Sequence, residues 1–135
     1  MPDPNTAVLS AAIDAFNRRD VDALLERIHP SVELVPLRSV MEGGDYQGHD
    51  GLRRYLRDAE DEIDGMLLRA DEFREVGDVV VLLGAIHGRL RASGIEMDMP
   101  AAWLVRVEGG KVRYLRAYSD PAGALADAGL PTVTS

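Results

Sequence analysis

The fold of this chain is decided by residues 95–120, IEMDMPAAWLVRVEGGKVRYLRAYSD, which read as one long β-hairpin. Every odd position from Ile95 to Val107 is apolar, whereas the charged residues stand at even positions, and this period of two predicts a strand whose odd face is buried. The pair Gly109-Gly110 predicts the reversal, and residues 112–119 return as a second strand. A strand of about a dozen residues is long for a small domain, and long bent strands often wrap around a cavity.

The composition of the 135 residues, 46% of them hydrophobic, predicts one domain over residues 1–135 with an ordered core over about residues 6–130. Fifteen basic and 23 acidic side chains give a net charge of −8, without any cluster of lysine or arginine. This disfavours nucleic acid and membranes as partners, since both attract clustered cations. The absence of cysteine excludes disulfides and thiolate chemistry. Because the first residues do not resemble a secretion leader, we expect a cytoplasmic protein.

Hydrophobic periodicity assigns the remaining segments to helices and strands. In chain order we predict helices over about 6–18 and 21–28, a strand over 31–36, a helix capped by Asp50, strands over 66–76 and 79–91 and, after the hairpin, a helix over 122–128 capped by Asp120. The third helix is predicted to turn to water its residues Arg53, Arg54, Arg57, Asp58 and Glu60. The segment 37–48 predicts a mobile loop, and whether it is a lid stays open. The order α-α-β-α-β-β-β-β-α indicates an α+β domain with a curved, mainly antiparallel sheet closed over by helices.

Three segments in this order resemble the SnoaL-like branch of the nuclear transport factor two-like superfamily. They are AFNRRDVDALLERIHPSVEL (15–34), GGDYQGHDGLRRYL (43–56) and WLVRVEGGKVRYLRAYSDPAGALADAGL (103–130). The resemblance implies a cone-shaped α+β fold with an internal pocket, and commonly a homodimer packed through the outer face of the sheet. It fixes no activity, because the same scaffold hosts isomerases, cyclases, epoxide hydrolases, dehydratases and non-catalytic binders.

The catalytic residues of two related enzyme groups have no counterpart here. Ketosteroid isomerases need a carboxylate base, a tyrosine and a protonated carboxylic acid. At the corresponding positions this chain has Leu34, Ala12 and either Ala102 or Trp103. Limonene epoxide hydrolase-like enzymes need an Asp-Arg-Asp set, for which this chain offers Ala117, Ile86 and Gly88. The resemblance therefore implies neither chemistry for this chain.

The residues predicted to face the pocket are mostly apolar. They are Leu34, Tyr55, Ile86, Met97, Met99, Trp103, Leu115 and Ser119. Such a lining suits a small hydrophobic molecule, although the same residues could simply fill the core. Trp103 is the strongest candidate, because a buried indole N–H needs a hydrogen-bond partner.

Acid and base candidates are few, and each has a simpler explanation. His87 shares its parity with Arg89 and so belongs to the outer face or the pocket rim. Glu33 and Asp98 could reach a cavity mouth, but alternation points them away from the inner face. Tyr55 is the remaining candidate. We expect no metal and no organic cofactor, since neither metal-ligand spacings nor a phosphate loop occurs.

The last strand presents Tyr114, Arg116 and Tyr118 on its outer face. Aromatic residues with arginine are enriched at protein interfaces, so we predict a homodimer through this face, the alternative being an exposed sheet. Two functions remain open. The chain is either a cofactor-independent isomerase, cyclase or hydrolase acting on a small hydrophobic molecule, or a non-catalytic binding or interaction module of the same fold.

Overall fold

The computed structural model describes residues 4–36 and 46–129, which form a curved, six-stranded sheet with helices on both faces. The elements are α1 Pro4–Asn17, α2 Val21–Glu26, β1 Ile28–Val35, β2 Tyr46–Gln47, α3 Gly48–Glu62, β3 Ile63–Val76, β4 Val79–Leu90, β5 Glu96–Glu108, β6 Lys111–Tyr118 and α4 Pro121–Asp127. The strand order is β2-β1-β6-β5-β4-β3, and all neighbours are antiparallel except β1 and β6, which are parallel. The predicted α+β class with a mainly antiparallel curved sheet is confirmed.

Several boundaries differ from the prediction. Helix α2 ends at Glu26, and Ile28 opens β1 instead, because its buried side chain joins the core while its backbone pairs with β6. The predicted loop 37–48 contains β2, a two-residue strand too short to show a period in the sequence; residues 37–45 lie outside the described part of the chain. Helix α3 starts at Gly48 with Gln47 as its N-cap, so Asp50 lies inside the first turn.

The hairpin buries its odd face as predicted. Ala101, Trp103, Val105 and Val107 of β5 are all buried among α1, β1 and the neighbouring strands. The even face is less exposed than alternation alone predicts, because α4 packs across it. Ala124 and Leu125 of α4 close a second apolar cluster with Val81 and Ala102. The C-terminal helix therefore covers part of the face on which the dimer contact is predicted.

Two glycines of β4 let the sheet bend. Strand β3 carries irregularities opposite Gly84 and Gly88, where its register against β4 shifts. A Cβ on Gly84 would lie 1.8 Å from the carbonyl oxygen of Arg69, and one on Gly88 would lie 2.4 Å from a methyl group of Ile63. Bulges increase local twist and bend a strand, so close backbone approach at these glycines gives the sheet its curvature.

Helix α1 runs along the inner side of the sheet and is tied to the edge strand β3. Asn17 donates from Nδ2 to the carbonyl oxygen of Leu68 and accepts from its backbone N–H, both at 2.9 Å. At the other end of the helix, the backbone N–H of Thr6 donates to the Glu75 carboxylate at 2.9 Å. The helix is thereby held at both ends, with Leu9, Ala12 and Phe16 turned into the core. Within the described residues, each helix is too short or too polar to cross a lipid bilayer.

Candidate functional site

Two adjacent cavities lie between the helices and the inner face of the sheet. We call the first the apolar chamber; it has a volume of about 80 Å³, and α1 lines it with Leu9, Ile13 and Phe16 opposite Leu34 and Leu115 of the sheet. We call the second the acidic chamber; it has a volume of about 200 Å³ and lies between α3 and the strands β4 and β5. Its walls include Asp58, Glu62, Ile86, Met97 and Met99. Four residues line both chambers: Pro36, Tyr55, Trp103 and Ala117.

Tyr55 and Trp103 stand where the chambers meet. Neither the hydroxyl of Tyr55 nor the indole N–H of Trp103 has a hydrogen-bond partner among the described residues. In the same part of the chain, the side-chain nitrogen or oxygen that is both fully buried and unpaired is Arg116 Nε. The two donors therefore reach free space, and that space is the cavity that both side chains line. Both donors are therefore available to water or to a molecule that enters the cavity.

The Tyr55 hydroxyl is held in its neutral form. Burial, and secondarily the neighbouring Tyr46, raise the pKa of Tyr55 from 10.0 to about 12. The two rings meet edge to face with centroids 5.5 Å apart. At neutral pH Tyr55 is therefore a hydrogen-bond donor and not a base.

The acidic chamber contains a pair that the sequence did not predict. Tyr46 of β2 donates its hydroxyl to the Asp58 carboxylate at 2.6 Å, and both line this chamber. Asp58 does not face water as predicted, because it lies one turn after Tyr55 on α3 and is half-buried at the chamber wall. The sequence feature that could have predicted this position is the spacing of three residues between Tyr55 and Asp58, which places the two side chains on one helix face.

The other acid and base candidates lie elsewhere. His87 is exposed on the outer face, where it pairs across the sheet with Asp98. Asp98 forms an ion pair with Arg69 at 3.6 Å. Glu33 is half-buried on the outer face of β1 opposite Tyr114. Of the four candidates, Tyr55 is therefore the one that lines the chambers.

Seven of the eight residues predicted to face the pocket line at least one chamber. Leu34 and Leu115 line the apolar chamber, Ile86, Met97 and Met99 the acidic chamber, and Tyr55 and Trp103 both. Ser119 lies outside both, because β6 ends at Tyr118 and the chain turns toward α4 with Ser119 exposed. In residues 4–36 and 46–129, no three histidine or acidic side chains converge to hold a metal ion.

Similar proteins share this fold over nearly its whole length. A family model for the SnoaL-like domain matches residues 9–115. An NTF2-like protein of unknown function from Burkholderia pseudomallei is 25% identical, with 93% of this chain and 97% of that chain covered and a TM-score of 0.79. A second NTF2-like protein, from Burkholderia thailandensis, is 26% identical, with coverages of 97% and 100% and a TM-score of 0.75.

The protein TerC, solved after co-crystallisation with polyporic acid, is 25% identical to this chain. The match covers 94% of this chain and 99% of TerC, with a TM-score of 0.78. No curated protein matches the sequence significantly.

Proposed function

This chain belongs to the SnoaL-like domain family, and from that premise we propose that it binds a small, largely hydrophobic molecule in its two chambers. Ligand pockets commonly measure roughly 300–1,000 Å³, and the two chambers approach the lower end of that range only when taken together. The molecule therefore spans both chambers and passes between Tyr55 and Trp103. Met97 and Met99 add a flexible, polarizable wall that adapts to its shape.

The unpaired donors of Tyr55 and Trp103 are the observation that carries this proposal. A ligand with an acceptor oxygen can accept hydrogen bonds from these donors, each with a net contribution of about 0.5–1.5 kcal/mol. The bound molecule is accordingly apolar with an oxygen acceptor, such as a carbonyl, near its middle. TerC, a relative of similar size, was co-crystallised with a small organic molecule, polyporic acid.

Two probes of equal shape test the proposal: 1-acetylnaphthalene, which has an acceptor oxygen, and 1-ethylnaphthalene, which has none. In equilibrium dialysis we expect the acetyl compound to bind roughly fivefold more tightly, the effect of one or two neutral hydrogen bonds. Tyr55→Phe removes the hydroxyl and keeps the ring, so it should reduce this preference and leave the affinity for the ethyl compound nearly unchanged. Tyr114→Phe, on the outer face, is the matched control and should change neither affinity.

The opposite result is equally clear. If neither probe binds, and native mass spectrometry of protein purified from its own host finds no retained small molecule, then the chambers are packing defects and the proposed function is wrong.

Catalysis on the bound molecule is the second candidate, as an isomerase, cyclase or hydrolase without a cofactor. The observation that favours it is the Asp58 carboxylate, which lines the acidic chamber and could accept a proton while Tyr55 donates a hydrogen bond. A ligand identified from the host should then be converted by the wild-type protein and not by Asp58→Asn. Unchanged ligand after prolonged incubation would leave the binding module as the function.

We also propose that the chain forms a homodimer through the outer face of β6. Arg116 stacks over Tyr118 at 5.1 Å, and aromatic side chains combined with arginine are enriched at protein interfaces. Tyr118 itself donates to Asp127 of α4 at 2.6 Å, so Tyr114 and Arg116 form the free part of this face. Sedimentation at tens of micromolar should detect a dimer that Arg116→Glu dissociates; a wild-type monomer of 14.7 kDa contradicts the proposal.

A further inference from the structure

A third cavity lies outside the two chambers, between the end of α1 and the helices α2 and α3. Its volume of about 300 Å³ alone reaches the lower end of the usual range for ligand pockets. We call it the α2–α3 groove; its apolar wall includes Phe16, Val21, Leu24, Leu56, Ala59 and Met66. Phe16 and Leu24 separate it from the apolar chamber, and Ala59 and Met66 separate it from the acidic chamber. The groove is therefore a neighbour of the chambers with a surface of its own.

Arg19 fixes the corner of the groove at which α1 ends. Its φ of 59° is left-handed, a conformation that is uncommon for residues other than glycine. Its guanidinium donates to the carbonyl oxygens of Phe16 at 2.9 Å and Met66 at 2.7 Å. The same guanidinium forms an ion pair with Glu60 at 3.5 Å. Arg19 thus joins α1, β3 and α3, and its charge is already paired within the protein.

The two carboxylates on the groove wall also have partners within the protein. Asp20 caps α2, and its carboxylate lies 3.8 Å from the guanidinium of Arg18. Glu60 forms an ion pair with Arg91 at 3.7 Å in addition to the one with Arg19. Neither carboxylate therefore leaves an unpaired negative charge in the groove.

Arg57 differs from these charged residues of the wall. Within residues 4–36 and 46–129, its side chain takes part in no ion pair, hydrogen bond or ring contact. Asp61 lies four residues later on α3, a spacing at which opposite charges on a helix can pair, yet the two do not pair. Arg53, one turn earlier on α3, does pair, with Asp50 at 3.2 Å. The described wall of the groove thus combines one unpaired positive charge with an apolar surface.

From this charge pattern we propose that the α2–α3 groove is a second binding site, which takes a small apolar molecule with one carboxylate. The apolar part packs on Leu56 and on Val21, which is 38% exposed without a ligand. The carboxylate accepts hydrogen bonds from Arg57, because the planar fork of a guanidinium matches two carboxylate oxygens. This site is additional to the one proposed in the chambers and does not depend on it.

The charges favour a carboxylate over other anions. A single negative charge balances the one unpaired guanidinium, whereas a phosphate monoester brings nearly two charges, and the described wall offers no second unpaired cation. The net charge of −8 repels anions at long range, but physiological salt screens charges that are more than about 8 Å apart. The contact with Arg57 therefore decides the preference.

Three probes that share a cyclohexane ring test the proposal: cyclohexanecarboxylate, cyclohexylmethanol and cyclohexylmethylamine. Each is titrated into isotope-labelled protein at pH 7 and physiological salt, and the backbone amide signals are followed by NMR. Val21 and Arg57 line the groove and neither chamber, whereas Met97 and Leu115 line the chambers and not the groove. From the signals of Val21 and Arg57 we expect the carboxylate to bind about fivefold more tightly than the alcohol, a charge-assisted hydrogen bond at an exposed site. The amine should bind most weakly.

The variant Arg57→Gln should abolish the preference for the carboxylate and leave the affinity for the alcohol nearly unchanged. The side chain of Arg57 is exposed and without a partner in the described part of the chain, so its replacement should not disturb the fold. Arg27→Gln is the matched control. Arg27 is also exposed, and its side chain has no partner among the same residues, but it lies outside the groove wall, so the preference should persist.

Each remaining outcome overturns a distinct claim. Equal affinities for carboxylate and alcohol at the groove signals overturn the inferred carboxylate. An equal loss of preference in Arg27→Gln shows a general charge effect and overturns the assignment to Arg57. If no probe shifts Val21 or Arg57, the groove is not a binding site; shifts confined to Met97 and Leu115 would then leave the function proposed for the chambers standing.

Discussion

The edge strand β3 and the walls of the chambers differ in how completely their polar groups are paired. Along β3, the side chain of Asn17 satisfies both backbone groups of Leu68, and Arg19 donates to the Met66 carbonyl oxygen at 2.7 Å. In the chambers, Tyr55 and Trp103 keep donors for which the described residues hold no partner. Among the described residues, these polar groups of β3 are thus paired within the protein, whereas two donors on the chamber walls are not.

The largest effect is expected where the sheet bends. Gly84→Ala places a Cβ within 1.8 Å of the Arg69 carbonyl oxygen, so β3 and β4 must separate locally. We expect the free energy of unfolding in urea to fall by about 3 kcal/mol, as for other overpacked sites. Gly94→Ala is the control. Its new Cβ meets no atom within 4 Å, so it pays only about 1 kcal/mol for its positive φ of 74°. Equal losses in the two variants would show that close approach at Gly84 does not hold the bend.

The next effect tests pairing at the edge itself. Asn17→Leu keeps the approximate size of the side chain but leaves the N–H and carbonyl of Leu68 without partners. We expect a loss of about 2–3 kcal/mol in the same unfolding measurement. Asn17→Asp, which still accepts from the Leu68 N–H, should lie between this variant and the wild type. A loss below about 0.5 kcal/mol for Asn17→Leu would mean that water replaces the side chain, and the contrast with the chambers would disappear.

Alkaline pH should weaken the fold through two tyrosines. Burial is the main cause that raises the pKa of both Tyr55 and Tyr118 from 10.0 to about 12. The second cause is the neighbouring Tyr46 for Tyr55 and the hydrogen bond to Asp127 for Tyr118. The unfolded chain releases these protons near pH 10 while the folded chain retains them, so stability is fully present below pH 10 and falls as pH rises toward 12. We expect Tyr55 to account for about 1–2 kcal/mol between pH 9 and pH 12. Tyr55→Phe should flatten this part of the profile, and an unchanged slope would contradict the assignment.

The smallest effect is expected inside the chambers. Tyr55→Phe at pH 7 removes a hydroxyl for which residues 4–36 and 46–129 hold no partner, so the unfolding free energy should change by less than about 0.5 kcal/mol in either direction. Tyr118→Phe, which removes the hydrogen bond to Asp127, should cost about 1 kcal/mol. If Tyr55→Phe were the more damaging of the two, its hydroxyl would serve the fold and not a ligand.

Long regular patterns made most of the fold predictable. The hairpin keeps a period of two over its first strand, and this parity alone identified Met97, Met99 and Trp103 as facing inward. Strand β2 escaped prediction because two residues cannot show a period. The packing of α4 across the sheet was not predicted either, because its contact with the sheet depends on only two buried residues, Ala124 and Leu125.

The site was predictable where a single strand or helix face defines it. The apolar lining follows from the alternation of residues along the strands. The hydrogen bond between Tyr46 and Asp58 joins two separate elements, β2 and α3, and the sequence does not determine how these elements meet. Asp58 also adjoins the apolar stripe of α3, where a polar residue equally well faces solvent. Ser119 was predicted to face the pocket because the predicted last strand included it, whereas β6 ends one residue earlier, at Tyr118.

The parallel pairing of β1 with β6 has a consequence for how the protein is made. Leu34 of β1 lies opposite Leu115 of β6, so the longer of the two strands that pair with β1 comes about eighty residues later in the chain. Until the ribosome has released β6, the nascent chain can offer β1 only the two residues of β2. The apolar chamber, which Leu34 and Leu115 both line, therefore closes after most of the polypeptide has been synthesised. Its apolar surface stays exposed throughout that interval, and such transiently exposed surface is what chaperones protect from aggregation.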